Sequence, residues 1–416
     1  MKLKTLENIN LKNKTVLYRA PYDIETETVN GVLELGDDMR IKATIPTLQY
    51  LLKENCKIVI LTYVGRPDGK IVENLRTTSH AKKLSELLNH PVLKVDDSIG
   101  PLVQEKITQM KSGDILMLEN VRFYKEEMVD DDEFAKKLCL GKDLIVFDGF
   151  PQAHRIHAST TGIERHLPTV AGFYLQHEVE MLSNLLENPQ RPFTVIIGGA
   201  KISDKVDAIH NLLKMADNIL IGGAVANVFL KALGRELGSS FVEDVFVDKV
   251  KREKRDWVED AKDILKQAEA LGKKIITPVD LVLSDTKVPN SAIAENSTSK
   301  KIININKEAV PFGWMALDIG PETQKEFSDI ILQSKTVFLA GPIGKFENER
   351  FAEGSKALLT AMKKVNGETI IAGGDTIDVA GRYTKLDDYT HISLAGGATL
   401  EFLAGKELPA LKALMQ

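Results

Sequence analysis

Cysteine is almost missing from this chain: two in 416 residues, Cys56 and Cys139, in different segments and in no CxxC pair. Their scarcity excludes a disulfide scaffold and fits a reducing, cytoplasmic setting. Long apolar runs are missing too. No segment approaches the roughly 20 apolar residues that span a membrane. The charges of Lys2 and Lys4 come too early for the apolar stretch of a signal peptide. Excess charge is scarce: 54 Lys+Arg against 59 Asp+Glu give a formal net charge of -5, which offers no basic surface to a nucleic acid. Neither G-x-x-x-x-G-K-[ST] nor G-x-G-x-x-G is present, which excludes a Walker-type site and a dinucleotide fingerprint. Repeats and low-complexity segments are absent as well. What remains is the composition of a soluble globular protein, 43% hydrophobic and 27% charged, on a chain long enough for two domains.

Short β-branched runs alternate with amphipathic stretches, which predicts an α/β fold of parallel sheets covered by helices on both faces. Strands are expected at 15–19, 57–62, 92–95, 115–118 and 144–147 in the first half. In the second half they are expected at 194–197, 218–221, 274–278, 336–339, 369–372 and 391–393. Helices are expected at 44–53 and 79–88 among others, and over 247–271, which includes the basic run 249–255, read as a solvated helix face. No Pro/Gly linker separates the halves. Instead Leu175, Val179, Leu182 and Leu186 form the stripe of an amphipathic helix ending near Asn188-Pro189, read either as a bridge between two lobes or as an ordinary core helix.

Ligands of an α/β sheet gather at the carboxyl ends of its strands. In the first half those ends deliver Arg19, Tyr63, Arg66, Arg122, Asp148, His154 and Arg155, with Arg40 just before a helix. Arginine forks suit phosphate or carboxylate oxygens, so an anionic substrate is expected there. His154 and His157 have no third ligand in view for a metal. In the second half the strand ends carry glycine pairs instead: Gly198-Gly199, Gly222-Gly223, Gly341 with Gly344, Gly373-Gly374 and Gly396-Gly397. Glycine lets phosphate approach the backbone, and Lys201, Lys205 and Asp375 add two cations and a carboxylate suited to magnesium. An anion lobe beside a nucleotide lobe points to phosphoryl transfer, where positioning and charge stabilisation do most of the catalysis.

Several segments in order then resemble the phosphoglycerate kinase family from end to end. They include Gly65-Arg-Pro67, Leu118-Glu-Asn-Val-Arg-Phe123, Ala153-His-Arg-Ile-His-Ala158 and Gly198-Gly-Ala-Lys-Ile-Ser-Asp-Lys205. Gly313-Trp-Met-Ala-Leu-Asp-Ile-Gly-Pro321, Gly373-Gly-Asp-Thr376 and Leu400-Glu-Phe-Leu403 continue the match. The resemblance implies two Rossmann-like lobes, each a parallel sheet flanked by helices, joined by a bridging helix. The expected boundaries are 1–172 for the anionic-substrate lobe, 173–188 for the helix and 189–390 for the nucleotide lobe, with 391–416 returning to the first lobe.

It also implies transfer of a phosphoryl group between MgATP and the carboxylate of 3-phosphoglycerate, with Mg2+ as cofactor and ATP/ADP as co-substrate. A cytoplasmic monomer is expected, with a small anionic acid and a nucleotide as its only partners. Carried over by position, Arg40, Lys201, Gly374 and Gly397 would act on the transferring group. Asp23, Arg40, Tyr63, Arg66, Arg122 and Arg155 would bind the acid. Gly198, Lys201, Lys205, Gly222, Gly223, Leu317, Pro342, Glu347, Gly373, Gly374, Asp375 and Thr376 would bind the nucleotide, with Asp375 at the metal.

Departures from the family pattern cluster at the acid site: Pro21 stands where an aspartate is usual, Asp23 where an asparagine is, and Tyr63 where a histidine is. In the other lobe Ala316 and Ala395 replace glycines, and Ala340 replaces an asparagine. Three readings therefore stay open: a phosphoglycerate kinase, a kinase of the same chemistry for another phosphorylated or phosphonate acid, and a nucleotide-binding homologue with little turnover.

Overall fold

The computed structural model describes residues 1–248, 253–285 and 300–416. Two compact units emerge: Met1–Ser183 with Glu407–Gln416, and Asn184–Lys406.

In the first unit the strands are β1 (Thr15–Arg19), β2 (Thr26–Val29), β3 (Val32–Leu35), β4 (Lys57–Leu61), β5 (Val92–Lys94), β6 (Ile115–Met117), β7 (Leu144–Phe147) and β8 (Thr169–Ala171). Six of them form one parallel sheet in the order β5-β6-β4-β1-β7-β8, and β2 pairs with β3 as a hairpin. The central strands are continuous apolar runs because both faces are covered: Val16, Leu17 and Tyr18 are buried alike, whichever face they point to. The chain passes from β1 to β4 on one side and later crosses from β6 to β7 on the other, so the winding reverses between β1 and β7 and opens a crevice at their carboxyl ends. Residues 407–416 return to this unit. Their Leu408, Leu411 and Leu414 are buried, the Lys4 N–H donates to the Leu414 carbonyl at 2.7 Å, and the Ala410 N–H donates to the Ala153 carbonyl at 3.1 Å.

The second unit holds β9 (Phe193–Ile197), β10 (Asn218–Ile221), β11 (Val245–Asp248), β12 (Glu253–Asp256), β13 (Lys274–Ile276), β14 (Asp280–Asp285), β15 (Lys300–Asn304), β16 (Trp314–Ile319), β17 (Thr336–Ala340), β18 (Glu368–Ala372) and β19 (His391–Ser393). Its parallel sheet runs β13-β10-β9-β17-β18-β19, the doubly wound order whose reversal falls between β9 and β17. A separate antiparallel sheet, β15-β14-β16, bulges between Val282 and Leu283.

The expected strands match the two parallel sheets but for β8; β2, β3 and β14–β16 were not expected either, and three further differences stand out. The helix expected over 247–271 begins only at Trp257: β11 and β12 form a hairpin, and the Asp256 carboxylate accepts from the Val258 and Glu259 N–H groups to start the helix Trp257–Ala270. Residues 249–252 of the basic run lie outside the described residues. Second, β19 pairs with β18, so the return to the first unit comes at 407 and not at 391. Third, in the helix Phe173–Glu187 the buried stripe is Leu175, Val179, Leu182 and Leu185, while Leu186 is half-buried. Among the described residues, no helix is long and apolar enough to cross a membrane.

Candidate functional site

At the carboxyl edge of the first sheet, Arg19 ends β1 fully buried, its Nε donating to the Ser159 carbonyl at 2.8 Å. Burial pulls its pKa below the usual value. The turn after β4 presents Tyr63, and the Arg122 guanidinium lies over that ring, 3.5 Å from its centre. Arg122 Nη1 donates to the Gly65 carbonyl at 2.6 Å, and the Gly65 N–H donates to Asp23 Oδ1 at 2.8 Å. Arg40 Nη1 donates to the Asp23 carbonyl. Asp23, Arg40, Tyr63 and Arg122 are thus linked through one turn. Arg155 is exposed and acts electrostatically on both Tyr63 and His157. Arg66 is exposed in the turn after β4, and no hydrogen bond or ion pair links it to that set. Pro21 is buried beside this turn.

Beneath the arginines lies a network that the motifs alone did not point out. Glu127 is fully buried and accepts from the Ser159 N–H at 2.9 Å and the Ser159 hydroxyl at 2.6 Å. Burial pushes its pKa up, opposed by the Ser159 hydroxyl and Arg19. His157 stands 3.7 Å from Glu127 through Nδ1. Burial, then the charges of Arg122 and Arg19, push His157 down to about 4, so at neutral pH it carries no charge. Burial and Arg155 do the same to His154. Among the described residues no three His, Cys, Asp or Glu side chains gather as a metal site.

In the second unit the crevice between β9 and β17 opens into a cleft of about 290 Å³, whose walls include Asn227, Phe241, Ala316, Leu317, Pro342 and Glu347. The glycines around it work differently from the expected approach of phosphate to their backbone. Gly198 N–H donates to the Ala340 carbonyl at 2.9 Å and Gly199 N–H to the Pro342 carbonyl at 2.7 Å. Gly222 N–H donates to Ile197 and Gly223 N–H to Ile343, each at 2.8 Å. A Cβ on Gly198 would lie 2.3 Å from the Pro342 carbonyl oxygen. These glycines let the loops dock on one another, and their N–H groups are already used.

Among the described residues, N–H groups with no hydrogen-bond partner lie elsewhere, at two helix starts. Gly374 opens the helix Gly374–Tyr383 with no atom within 4 Å of where a Cβ would be, and Gly374 and Asp375 are both exposed. Gly396-Gly397 opens the helix Gly396–Leu403, and a Cβ on Gly396 would come 3.5 Å from the Gly373 Cα. Two positive helix ends therefore converge beside Asp375. Thr376 is buried, its hydroxyl donating to the Ala372 carbonyl at 2.7 Å and accepting from the Gly341 N–H at 2.8 Å, so it fixes the 341 loop to the helix start.

Lys205 is half-buried near Gly199, and burial lowers its pKa against the pull of Asp204 and Asp375. Lys201 is exposed in the same turn. Glu347 pairs with Lys345 at 3.4 Å, and the Lys345 N–H donates to the Leu317 carbonyl at 2.8 Å, which ties the cleft's two walls. Glu243, which the sequence reading missed, accepts from the Ser203 N–H and hydroxyl at 3.0 and 2.7 Å and so holds the lysine-bearing turn. No short-range motif marks it.

The structure is similar to that of phosphoglycerate kinase from Coxiella burnetii, at 33% identity over 99% of this chain and 98% of that one, with a TM-score of 0.82. It is also similar to phosphoglycerate kinase from Pyrococcus horikoshii OT3, at 32% identity over 99% and 98%, with a TM-score of 0.81. The family model for phosphoglycerate kinase matches residues 6–406, across both units and both sets of candidate site residues, and the chain belongs to that family.

Proposed function

We infer that this chain transfers a phosphoryl group reversibly between MgATP and the carboxylate of 3-phosphoglycerate, forming 1,3-bisphosphoglycerate, a step of glycolysis and its reverse. The observation that carries this is the family match over 6–406, which takes in both the arginine edge and the glycine-lined cleft. Neither the other-acid reading nor the low-turnover reading gains support from the geometry or the comparisons.

In the forward direction one carboxylate oxygen bonds to the γ-phosphorus as the bond from phosphorus to the ADP oxygen breaks. The carboxylate is already ionised at neutral pH, so no general base is needed, and the chain's task is positioning and charge. Arg40 faces the carboxylate, and Arg66, Arg122 and Arg155 take the distal phosphate. The turn carrying Gly65 supports this assignment, since it links Arg40, Asp23 and Arg122. Lys201 offsets the charge of the group in transit, and Lys205 holds nucleotide phosphate. The helix starts at Gly374 and Gly397 aim N–H groups at the transferring oxygens. Cleft residues Leu317 and Pro342 flank the base, and Glu347 accepts from ribose hydroxyls.

Magnesium commonly binds through one or two carboxylates plus phosphate oxygens and water. A single exposed carboxylate, Asp375, at a helix start beside Lys205 fits that role. The ion would neutralise phosphate charge there. The helix Phe173–Glu187, which crosses the unit boundary, acts as the hinge. Cytoplasmic location and a monomeric state complete the reading.

A coupled assay with MgATP and 3-phosphoglycerate tests it. The full chain is expected to turn over at a metabolic rate, and Lys201→Ala to lower kcat by roughly a hundredfold or more, as loss of one transition-state donor does elsewhere. Absent turnover, or an unaltered kcat in the variant, refutes the assignment.

A further inference from the structure

Two arginines share one tyrosine. The Arg122 guanidinium lies 3.5 Å and that of Arg19 5.2 Å from the centre of the Tyr63 ring, and all three side chains are buried. Two cations out of water repel one another and are costly to desolvate, so their neighbours must offset them. Glu127 does so by its charge, and the electron-rich face of Tyr63 does so without one. Arg122 Nη1 is fixed on the Gly65 carbonyl, whereas Arg122 Nε and Arg19 Nη2 have no hydrogen-bond partner among the described residues. Buried donors in that state mark a place where a ligand acceptor is missing. The Tyr63 hydroxyl makes no hydrogen bond among the described residues, and burial, opposed by the charge of Arg122, keeps it a neutral phenol.

We propose that Tyr63 is a positioning residue for the acid substrate: its ring is the platform that holds the Arg122 guanidinium, so that the free donors of Arg122 and Arg19 meet an anionic oxygen. This rests on the reading that the first unit receives a phosphorylated acid. It goes further in assigning the alignment of the arginines to an uncharged aromatic face. A phenylalanine can then serve where an aliphatic side chain of similar volume cannot.

Steady-state kinetics on the full chain tests this, with 3-phosphoglycerate varied at saturating MgATP for Tyr63→Phe, Tyr63→Leu and Tyr63→Met. Tyr63→Leu is expected to raise KM for the acid by roughly tenfold, the scale of a desolvated cation–π contact. Its kcat and its KM for MgATP should stay within about threefold of wild type. Tyr63→Phe should keep KM within about threefold, because the ring remains. Tyr63→Met fills the space without a π-face and should behave like the leucine, which keeps the test open if the leucine variant does not fold. A wild-type KM in either aliphatic variant overturns the proposal, and so does a phenylalanine variant as impaired as they are. If the wild-type chain is itself inert toward 3-phosphoglycerate, the functional assignment falls first and this inference with it. An active wild type with unaltered aliphatic variants sinks this inference alone.

Discussion

At the scale of single residues, burial sets the charge states. Glu164 keeps one carboxylate oxygen buried without a hydrogen-bond partner, and burial, then the charge of Asp130, pushes its pKa up to about 9. The unfolded chain loses that proton near 4.5, while the native chain keeps it until about 9. Native Glu164 therefore binds the extra proton in this window, and stability falls as pH rises through it. Glu164→Gln should melt higher than wild type, with a larger gain at pH 9 than at pH 5. Equal gains in thermal melts at the two pH values would refute the assignment. His80, His154 and His157 work with the opposite sign. Burial holds each down to about 4, so the unfolded chain takes up their protons first and stability is lost as pH falls from about 6.5 toward 4. Tyr63 shows where residue-level reading stops. The loss of a positive charge at that position can be read from the chain, but its stacking under Arg122 exists only once β4 and the 120–123 turn are paired.

Among the elements, the helix Phe173–Glu187 begins in an unusual way. Asp148, at the end of β7, reaches across with Oδ1 to accept from the Leu175 N–H at 2.9 Å, while Oδ2 accepts from the Tyr18 hydroxyl at 2.8 Å. A Cβ on Gly172 would lie 2.2 Å from that carboxylate. Gly172→Ala should thus expel Asp148 from the helix start and cost about 2–4 kcal/mol, counting a stranded buried charge and the lost cap. Gly381, inside the helix Gly374–Tyr383 with open space where a Cβ would be, should respond the other way. Its alanine variant should gain about 0.5–1 kcal/mol. Denaturant unfolding of both variants checks the pair, and the same sign for the two would contradict it.

All the parallel strands but β8 were legible, the central ones because a strand buried on both faces must be an unbroken apolar run. The hairpins β2–β3 and β11–β12 and the sheet β15-β14-β16 were not, since charged and polar residues interleave with apolar ones along them and blur the period. The β11–β12 segment even mimics a helix. Several of the glycine pairs lie along the cleft of the second unit, but their purpose was not legible: which N–H groups stay free depends on loops that meet only in the folded chain, as Gly198 and Pro342 do.

For the molecule as a whole, the chain order and the unit order differ. Asn184–Lys406 is continuous, whereas the first unit is closed by residues 407–416. Burying Leu408, Leu411 and Leu414 contributes about 4–9 kcal/mol by transfer alone, comparable to the whole stability of a domain. A chain cut after Lys406 should therefore show a much lower first transition in scanning calorimetry while the second persists. Unchanged melting would disprove the dependence. The Ala410 N–H also anchors the Ala153 carbonyl, next to His154 and Arg155, so the same cut loosens the segment that carries both. During translation residues 1–183 leave the ribosome first, yet the piece that closes their unit arrives after the whole of the second unit. A nascent chain can thus complete its second unit while its first stays unfinished, until residues 407–416 have emerged from the exit tunnel.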